Sequence, residues 1–270
     1  MTYPNKDRYE GCWEEGLRCG YGTHYYANGD KYEGDWKENV PHGEGHYCTK
    51  TGFEYHGSYR SAVYHGDGYM RMPNGRVYEG EFREGLRHGE GRMNWNNGRY
   101  YMGQWNSGKM HGKGLLMCHV EGSYLGDFRE GFKEGQGVMN YRNGDMYSGG
   151  WKRNNYQGHG TITCVTGGIV SYEGGWDNGL KHGKGVLIYR DGSKYEGHFR
   201  EDLPHGHGVH TVMGSVSLDG KWEEAQTSGK LSISVGQSKL SAQCHNALVD
   251  EGKIHSFVVF TQPPVVHLSL

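Results

Sequence analysis

The chain has 270 residues, a formal net charge of −2 and no run of five basic residues, so it lacks the charge pattern of nucleic-acid-binding and anionic-membrane-binding proteins. Hydrophobic residues make up only 34 %, but aromatic residues reach 13 % and the 48 glycines recur at fixed positions, which favours a folded repeat protein over a disordered chain. The six cysteines are scattered without a CxxC pair, a pattern typical of free thiols in a reducing compartment.

Residues 1–8 form an N-terminal lead-in, without the apolar segment of a signal peptide. No later segment approaches the ~20 apolar residues that cross a bilayer as a helix. From these two observations we expect a cytoplasmic protein.

A repeat with a period of 23 residues begins at residue 9. Each copy has tyrosine, then glycine two residues later, then an aromatic ring four residues after the tyrosine. Nine copies are clear, and a two-residue slip separates the first seven from the last two. Their tyrosines are Tyr9, Tyr32, Tyr55, Tyr78, Tyr101, Tyr124, Tyr147, Tyr172 and Tyr195. A tenth, decayed copy has Leu218 instead, and the array is predicted to cover residues 9–236.

Residues 78–97 show what one copy predicts. Apolar and small residues alternate with polar ones from Tyr78 to Phe82, and again from Gly89 to Trp95, which is the period of a β-strand. A short turn containing Gly85 joins the two strands. The sequence therefore predicts an all-β fold: an elongated, single antiparallel sheet of about ten hairpins.

The two faces of this sheet are expected to differ. One face carries the rings, and the glycines of the second strand leave room for a neighbouring ring over the backbone. The other face is predicted to be polar throughout. The two-residue slip lies between Cys164 and Ser171 and predicts a longer turn, with a β-bulge as the alternative.

The segments Tyr32–Gly45, Tyr78–Gly91 and Tyr172–Gly185 resemble the MORN repeat (membrane occupation and recognition nexus). Members of this family include radial-spoke head proteins, cytoskeletal scaffold proteins, junctophilins and the non-catalytic parts of some lipid kinases. The resemblance implies an elongated scaffold that binds proteins and often dimerises. Relatives that are enzymes carry catalysis in an appended domain, so we expect no enzymatic activity and no cofactor.

Six histidines precede glycine at equivalent positions and form the most tempting candidate metal site: His42, His65, His88, His111, His182 and His205. Equivalent residues of successive hairpins lie about 9.5 Å apart, which is too far for ligands of one zinc ion. The glycines beside them precede no helix and no GK[ST] element, so they do not form a phosphate-binding loop. We therefore predict no metal, nucleotide or catalytic site.

The aromatic face is the remaining candidate site, because a single sheet has no second layer to bury its rings. Either the rings pack on the glycine rows alone, or part of the face stays open as a groove for a helix or an extended peptide. The candidate protein-binding residues are Met93, Trp95, Tyr101, Trp105, Tyr78, Phe82, Phe128, Tyr141 and Trp151.

Residues 237–270 are predicted to cap the last hairpin or to form a partner-binding tail. Leu240, Cys244, Ala247 and Leu248 have loosely helical spacing and permit a short helix over residues 238–250, with Gly252 as its stop. Residues 254–260 read as a strand. At the other end, the first strand has no evident cap, and an open edge favours end-to-end or antiparallel pairing with another chain.

The sequence therefore predicts a non-enzymatic scaffold of a cytoskeletal assembly. By family analogy the assembly is the ciliary or flagellar axoneme, with the radial-spoke head as the specific site and other axonemal proteins as partners. Two alternatives stay open. One is a membrane-associated adaptor that binds phospholipid or tethers a lipid enzyme, and the other is a regulatory subunit of an enzyme.

Overall fold

The computed structural model describes residues 1–212, 216–223, 226–235, 238–250, 253–260 and 266–268. Every regular element in these ranges is a β-strand, which confirms the predicted all-β class. The chain divides into two compact units, Met1–Phe132 and Lys133–Leu270. In both, strands that follow each other in the sequence pair antiparallel, as expected for tandem hairpins.

The strands of the first unit have two lengths, a shorter one that carries the repeat tyrosine and a longer one that returns. They are β1 (Arg8–Glu14), β2 (Leu17–Tyr25), β3 (Lys31–Lys37), β4 (Val40–Cys48), β5 (Glu54–Arg60), β6 (Val63–Arg71), β7 (Val77–Arg83), β8 (Leu86–Trp95), β9 (Arg99–Asn106), β10 (Lys109–Cys118) and β11 (Gly122–Arg129).

The second unit has the same alternation of shorter and longer strands. Its first strand begins at Phe132, the last residue of the first unit. Its strands are β12 (Phe132–Tyr141), β13 (Met146–Lys152), β14 (Asn155–Thr163), β15 (Ile169–Asp177), β16 (Leu180–Tyr189), β17 (Lys194–Arg200), β18 (Leu203–Val212), β19 (Val216–Glu223), β20 (Gln226–Val235), β21 (Ser238–Asp250), β22 (Lys253–Phe260) and β23 (Val266–Leu268).

A β-bulge interrupts the pairing within the repeat hairpins, and the hairpin β7–β8 shows its form. Tyr78 pairs with Met93 and Gly80 with Gly91, after which the register shifts. Gly89, at the shift, has φ +56°, a left-handed conformation that glycine adopts without steric cost. The first glycine of each His-Gly-x-Gly segment therefore serves the bulge, and sequence reasoning had placed no bulge there.

The decayed tenth copy supports a link between the tyrosine and the bulge. In the hairpin β19–β20, Leu218 replaces the tyrosine and the pairing runs without a shift from Val216↔Ile233 to Glu223↔Gln226. The hairpin thus keeps its strands when the tyrosine is lost, but its register becomes regular.

The two-residue slip produces both of the effects that were considered. The connection is longer when it is counted between paired residues: seven residues separate Thr163 from its partner Ser171, whereas five separate Tyr25 from its partner Lys31. The register of β15 against β16 also shifts between Ile169 and Ser171. The insertion is therefore shared between the turn and the strand that follows it.

Two expectations for the chain ends need correction. Residues 238–250 form the strand β21, which pairs with β20, so the short helix was wrong; its proposed stop, Gly252, lies outside the described residues. At the other end, the lead-in folds back on β1: the amide of Tyr9 donates to the carbonyl of Met1 at 2.9 Å, and the Met1 ammonium donates to the carbonyl of Tyr9 at 2.7 Å. The first strand is therefore partly covered.

Candidate functional site: the aromatic face

The repeat tyrosines are the buried centre of each hairpin, and all nine are between 0 and 1 % exposed. In the hairpin β5–β6, a Cβ added at Gly68 would lie 2.6 Å from the hydroxyl oxygen of Tyr55 and 2.8 Å from two of its ring carbons. Glycine is therefore required because the ring lies directly on the backbone. The ring belongs to the same hairpin, whereas the sequence had suggested a neighbour's ring.

Each of these hydroxyl groups donates to the carbonyl three residues later, inside the bulge. Tyr55 donates to Ser58 at 2.9 Å, and Tyr78 donates to Glu81 at 3.0 Å. The other seven tyrosines make the same contact at 2.8–3.2 Å. The hydroxyl group thus has a hydrogen-bond acceptor, and the carbonyl inside the bulge has a donor. Burial raises the pKa of the Tyr55 and Tyr78 hydroxyls above their ordinary value.

We call the aromatic residue four positions after each tyrosine its partner ring. Within each unit, a partner ring meets its own tyrosine edge to face, and it also meets the tyrosine of the preceding hairpin where that tyrosine lies in the same unit. Phe82, for example, lies 5.1 Å from Tyr78 and 5.2 Å from Tyr55, centroid to centroid. Edge-to-face pairs at this distance are favourable beyond the area that they bury. The rings therefore form a continuous ladder within each unit.

Both tryptophan and phenylalanine occur as partner rings, because neither leaves a buried polar group without a hydrogen bond. The indole Nε1–H of a tryptophan donates to a glycine carbonyl of the preceding hairpin, as Trp36 does to Gly22 at 3.0 Å and Trp105 to Gly91 at 3.1 Å. Phenylalanine has no polar atom to satisfy. Tyr59 is the one partner ring with a hydroxyl group; that oxygen is buried and has no hydrogen-bond partner among the described residues.

A second row of side chains, missed by sequence reasoning, lies over the ladder. We call them the covering residues. Each stands two positions before the first glycine of the bulge, a glycine that follows histidine in six hairpins and Cys19, Glu134 or Gln157 in the other three: Arg18, Pro41, Tyr64, Arg87, Met110, Lys133, Tyr156, Lys181 and Pro204. The guanidinium carbon of Arg87 lies 4.5 Å from the ring centroid of Trp105, and Tyr64 stacks on Tyr55 at 3.9 Å. The position has no consensus residue type, and for that reason the sequence pattern did not reveal it.

The nine candidate binding residues do not form one open surface. Seven are buried in the ladder: Tyr78, Phe82, Met93, Tyr101, Trp105, Phe128 and Trp151. Trp95 and Tyr141 are half-buried, and Tyr141 hydrogen-bonds through its hydroxyl to that of Tyr156. Of the nine, these two expose the most surface that a partner could contact, and the binding role of all nine stays a prediction.

The opposite face was expected to be polar throughout, and this was wrong in the first unit. Leu115 pairs with Met102 on one side and with Leu125 on the other, so the three side chains are cross-strand neighbours. Met102 is 53 % exposed and Leu125 is 60 % exposed. We call these three residues the apolar patch. The repeat position of Met102 and Leu125 carries Glu33, His56, Glu79 and Ser148 elsewhere, which hid the patch from an argument based on the consensus.

The histidine row does not gather into a metal site. Among the described residues, no group of three or more histidines, cysteines or acids is placed to hold a metal ion. His42, a member of the row, accepts a long hydrogen bond of 3.4 Å from the amide of Ser61. In the same described part of the chain, no helix is long and apolar enough to cross a membrane.

The comparison with protein families matches these hairpins. The sequence profile of the MORN repeat matches residues 9–31, 32–52, 78–98, 101–120, 124–146, 147–169, 172–194 and 195–211, which is more than half of the chain. The chain belongs to the MORN-repeat family. The third MORN repeat of the structure, residues 55–77, lies outside these matches and contains the unusual partner ring Tyr59. No curated protein matches the sequence.

Some solved structures align with the MORN-repeat chain at low similarity. The TCP domain of SAS-4 from Drosophila melanogaster, in complex with a proline-rich motif of Ana2, has 12 % identity and a TM-score of 0.29; the alignment covers 63 % of this chain and 84 % of that one. The TCP10 domain of CPAP from Danio rerio, in complex with a STIL peptide, has 14 % identity and a TM-score of 0.25, covering 82 % and 92 %. Virginiamycin B lyase from Staphylococcus aureus has 8 % identity and a TM-score of 0.18, covering 94 % and 95 %. These scores are too low to support an argument about this chain.

Proposed function

We propose that this MORN-repeat protein is a non-enzymatic protein-interaction scaffold of a cytoskeletal assembly, the ciliary or flagellar axoneme, with the radial-spoke head as its specific site. The matched family is a repeat scaffold and not a catalytic family. The assembly itself is proposed by analogy with family members, and other axonemal proteins are the proposed partners.

The observation that carries the scaffold proposal is the apolar patch on the face opposite the rings. Met102 and Leu125 expose more than half of their surface and flank Leu115 on adjacent strands. Packing of the hairpin does not require them, because Glu79 and Ser148 occupy the same repeat position in other hairpins. Contiguous exposed apolar side chains mark protein-binding surfaces. A patch that extends over three adjacent strands suits the face of a folded partner.

The test is capture of partners on the tagged chain in a ciliated cell, compared with the double variant Met102→Glu/Leu125→Glu. We expect the wild-type chain to recover axonemal proteins and the variant to lose at least one of them, because a charge cannot be buried unpaired in an apolar interface. His56→Glu/Ser148→Glu is the matched control, since it changes the same repeat position outside the patch. Thermal melts of both variants check that the fold is kept.

Other outcomes would contradict parts of this proposal. Recovery of a lipid kinase, an exchange factor or a membrane protein without axonemal proteins would favour the adaptor or the regulatory subunit, and flotation with anionic liposomes would then separate these two. Equal recovery by the wild-type chain and the patch variant would exclude the patch. Light scattering on the purified chain tests self-association, which the family resemblance also implies.

A further inference from the structure

One row of side chains on the face opposite the rings differs in charge between the two units. Each strand contributes one residue to it. In a tyrosine-bearing strand this is the residue after the glycine that follows the tyrosine, and in a returning strand it is the residue between the two glycines. Pairs such as Asp67↔Glu81 and Lys184↔His198 make successive members cross-strand neighbours. We call the members on β3–β8 the acidic row and those on β14–β19 the cationic row.

The acidic row contains five carboxylates and one serine, and no cation occupies it on β3–β8. Four of the carboxylates are exposed and Asp35 is half-buried. Asp67 and Glu81 lie directly opposite each other, and neither forms an ion pair among the described residues. Like charges at such positions destabilise a sheet. The members of the row are Asp35, Glu44, Ser58, Asp67, Glu81 and Glu90.

The cationic row contains lysine and histidine, and no acid occupies it on β14–β19. Lys184 lies opposite His198, and His207 lies opposite Lys221. Histidine gains its positive charge as the pH falls from 8 to 5, so like charges accumulate in this row in mildly acidic solution. The members of the row are His159, Lys184, His198, His207 and Lys221, and Gly175 contributes no side chain.

A cleft of about 500 Å³ runs beside the cationic row and leaves it open to another molecule. Its floor is backbone, at Gly174, Gly185 and Gly197. Glu196, on the far side of this floor, is already paired with Lys194 at 2.7 Å. A carboxylate side chain from outside can therefore enter the cleft and contact the row. The ionisable groups that the strands place beside the three histidines are Glu173 and Asp177 on β15, Lys184 on β16, Glu196 on β17, His205 on β18, and Asp219 and Lys221 on β19.

The sign of the charges points to a second copy of the chain as the occupant. Each row has one residue per strand at the same repeat position, so both rows advance by about 4.8 Å per residue. The acidic row of one copy thus offers carboxylates at the step at which the cationic row of another offers lysine and histidine. A nucleic acid or an anionic membrane would meet Glu173 beside the cationic row, and neither would account for the acidic row.

We propose that the acidic row of one chain docks on the cationic row of a second copy, through ion pairs that strengthen as the histidines become protonated. The pairing relieves the repulsion between like charges that each row holds in the free chain. The contact uses side chains of a sheet face, so it differs from the strand-edge pairing expected from the sequence. It lies on other strands than the apolar patch and does not require the axonemal partners of the proposed function.

The first test is sedimentation velocity of the full chain over a range of protein concentrations. We expect a species larger than the monomer that is favoured at pH 6 over pH 8 and is weakened by added salt, because salt screens exposed charges. The triple variant His159→Gln/His198→Gln/His207→Gln should lose the dependence on pH between these values. Glutamine already occupies the row position at Gln104 and Gln136, so this variant is expected to fold.

The second test exchanges repeat-equivalent pairs between the two rows. Asp67→Lys/Glu81→His places the cationic pair in the acidic row, and Lys184→Asp/His198→Glu places the acidic pair in the cationic row. We expect each variant alone to self-associate about 10-fold more weakly than the wild-type chain. An equimolar mixture should associate more tightly than either variant alone, because the first variant keeps an intact cationic row and the second an intact acidic row.

The control is Lys50→Glu/Arg76→Glu, which reverses two exposed cations in turns outside both rows and should leave self-association unchanged. Circular dichroism checks that each variant keeps its β-sheet signal. A wild-type chain that stays monomeric at pH 6 and low ionic strength would overturn the inference. So would self-association that the exchanged pairs leave unchanged, or a mixture no tighter than its components. The scaffold proposal would survive these results, because it is tested by the patch variant in cells.

Discussion

At the scale of single residues, Tyr59 gives a prediction that needs no partner. Tyr59→Phe removes a buried hydroxyl group that has no hydrogen-bond partner among the described residues. Phenylalanine already serves as a partner ring at Phe82 and Phe128, so the ladder is kept. We expect the free energy of unfolding to rise by about 1 kcal/mol, measured by urea denaturation.

Tyr55→Phe is the matched control, because it makes the same chemical change at a satisfied hydroxyl four residues earlier. The hydroxyl of Tyr55 donates to the carbonyl of Ser58 at 2.9 Å. Its removal is expected to lower the free energy of unfolding by about 1 kcal/mol. Opposite signs for the two variants are the expected result, whereas a loss of stability in both would mean that the Tyr59 hydroxyl is satisfied in solution.

The residue scale also shows what a consensus can and cannot reveal. The spacing of Tyr55 and Gly68 was enough to predict that a ring packs on a glycine, because a periodic pair of large and small residues implies contact across a hairpin. The bond from Tyr55 to Ser58 was not predictable, since it depends on a bulge that shifts the register. The unsatisfied hydroxyl group of Tyr59 is apparent only from the packing of the residues around it in the structure.

At the scale of the element, the hairpin turns have two residues with positive φ, the geometry that matches the twist of antiparallel strands. Glycine occupies the second position in the fourth hairpin, where Gly85 has φ +78°. The third hairpin has Ala62 there, with φ +65°. Alanine is strained in this region because its Cβ approaches the backbone carbonyl. The turn therefore stabilises the third hairpin less than the equivalent turn stabilises the fourth.

Ala62→Gly is expected to raise the free energy of unfolding by about 1 kcal/mol, because glycine adopts positive φ without strain. The melting temperature of the purified variant measures the effect. Gly85→Ala, the reverse change at the equivalent turn, serves as the control and is expected to lower stability by about the same amount. If Ala62→Gly were neutral or destabilising, the turn would not hold the left-handed conformation in solution.

Elements also show where the sequence was misleading. Residues 238–250 have apolar residues at helical spacing, yet they form β21, because β20 offers a strand edge whose backbone groups need partners. Leu115 and its neighbours on the opposite face escaped prediction for a different reason: the repeat position of Met102 and Leu125 is polar in the other hairpins, and only the pairing of β10 with β9 and β11 brings these two residues next to Leu115.

At the scale of the whole molecule, stability in both units depends on buried tyrosines. Burial raises the pKa of their hydroxyl groups, as it does at Tyr32 and Tyr101 in the first unit and at Tyr147 and Tyr195 in the second. Ionisation in the folded chain would leave a phenolate buried away from water, and it would remove the hydrogen bond that the hydroxyl donates to the carbonyl in the bulge. The folded chain therefore keeps these groups protonated where the unfolded chain does not.

The sign of the pH dependence follows from this difference. A tyrosine of the unfolded chain ionises near pH 10, and the folded pKa lies above that value. The stabilisation is fully present below pH 10 and is lost as the pH rises further, because only the unfolded state releases protons. Above pH 10, each such tyrosine lowers the free energy of unfolding by about 1.4 kcal/mol per pH unit, and the contributions of the nine add.

We therefore expect both units to unfold cooperatively in alkaline solution above pH 10. Tyrosinate absorbance and the β-sheet signal in circular dichroism, recorded in one pH titration, measure the transition. Exposed tyrosines ionise without unfolding, but the tyrosinate absorbance of the nine buried repeat tyrosines should change together with the β-sheet signal, since those rings ionise when the hairpins open. Lysines titrate in the same range but give no tyrosinate absorbance, so they cannot imitate the result. Ionisation of all 21 tyrosines with an unchanged β-sheet signal would show that the buried rings ionise in the folded chain, and the ladder would then not be the source of stability.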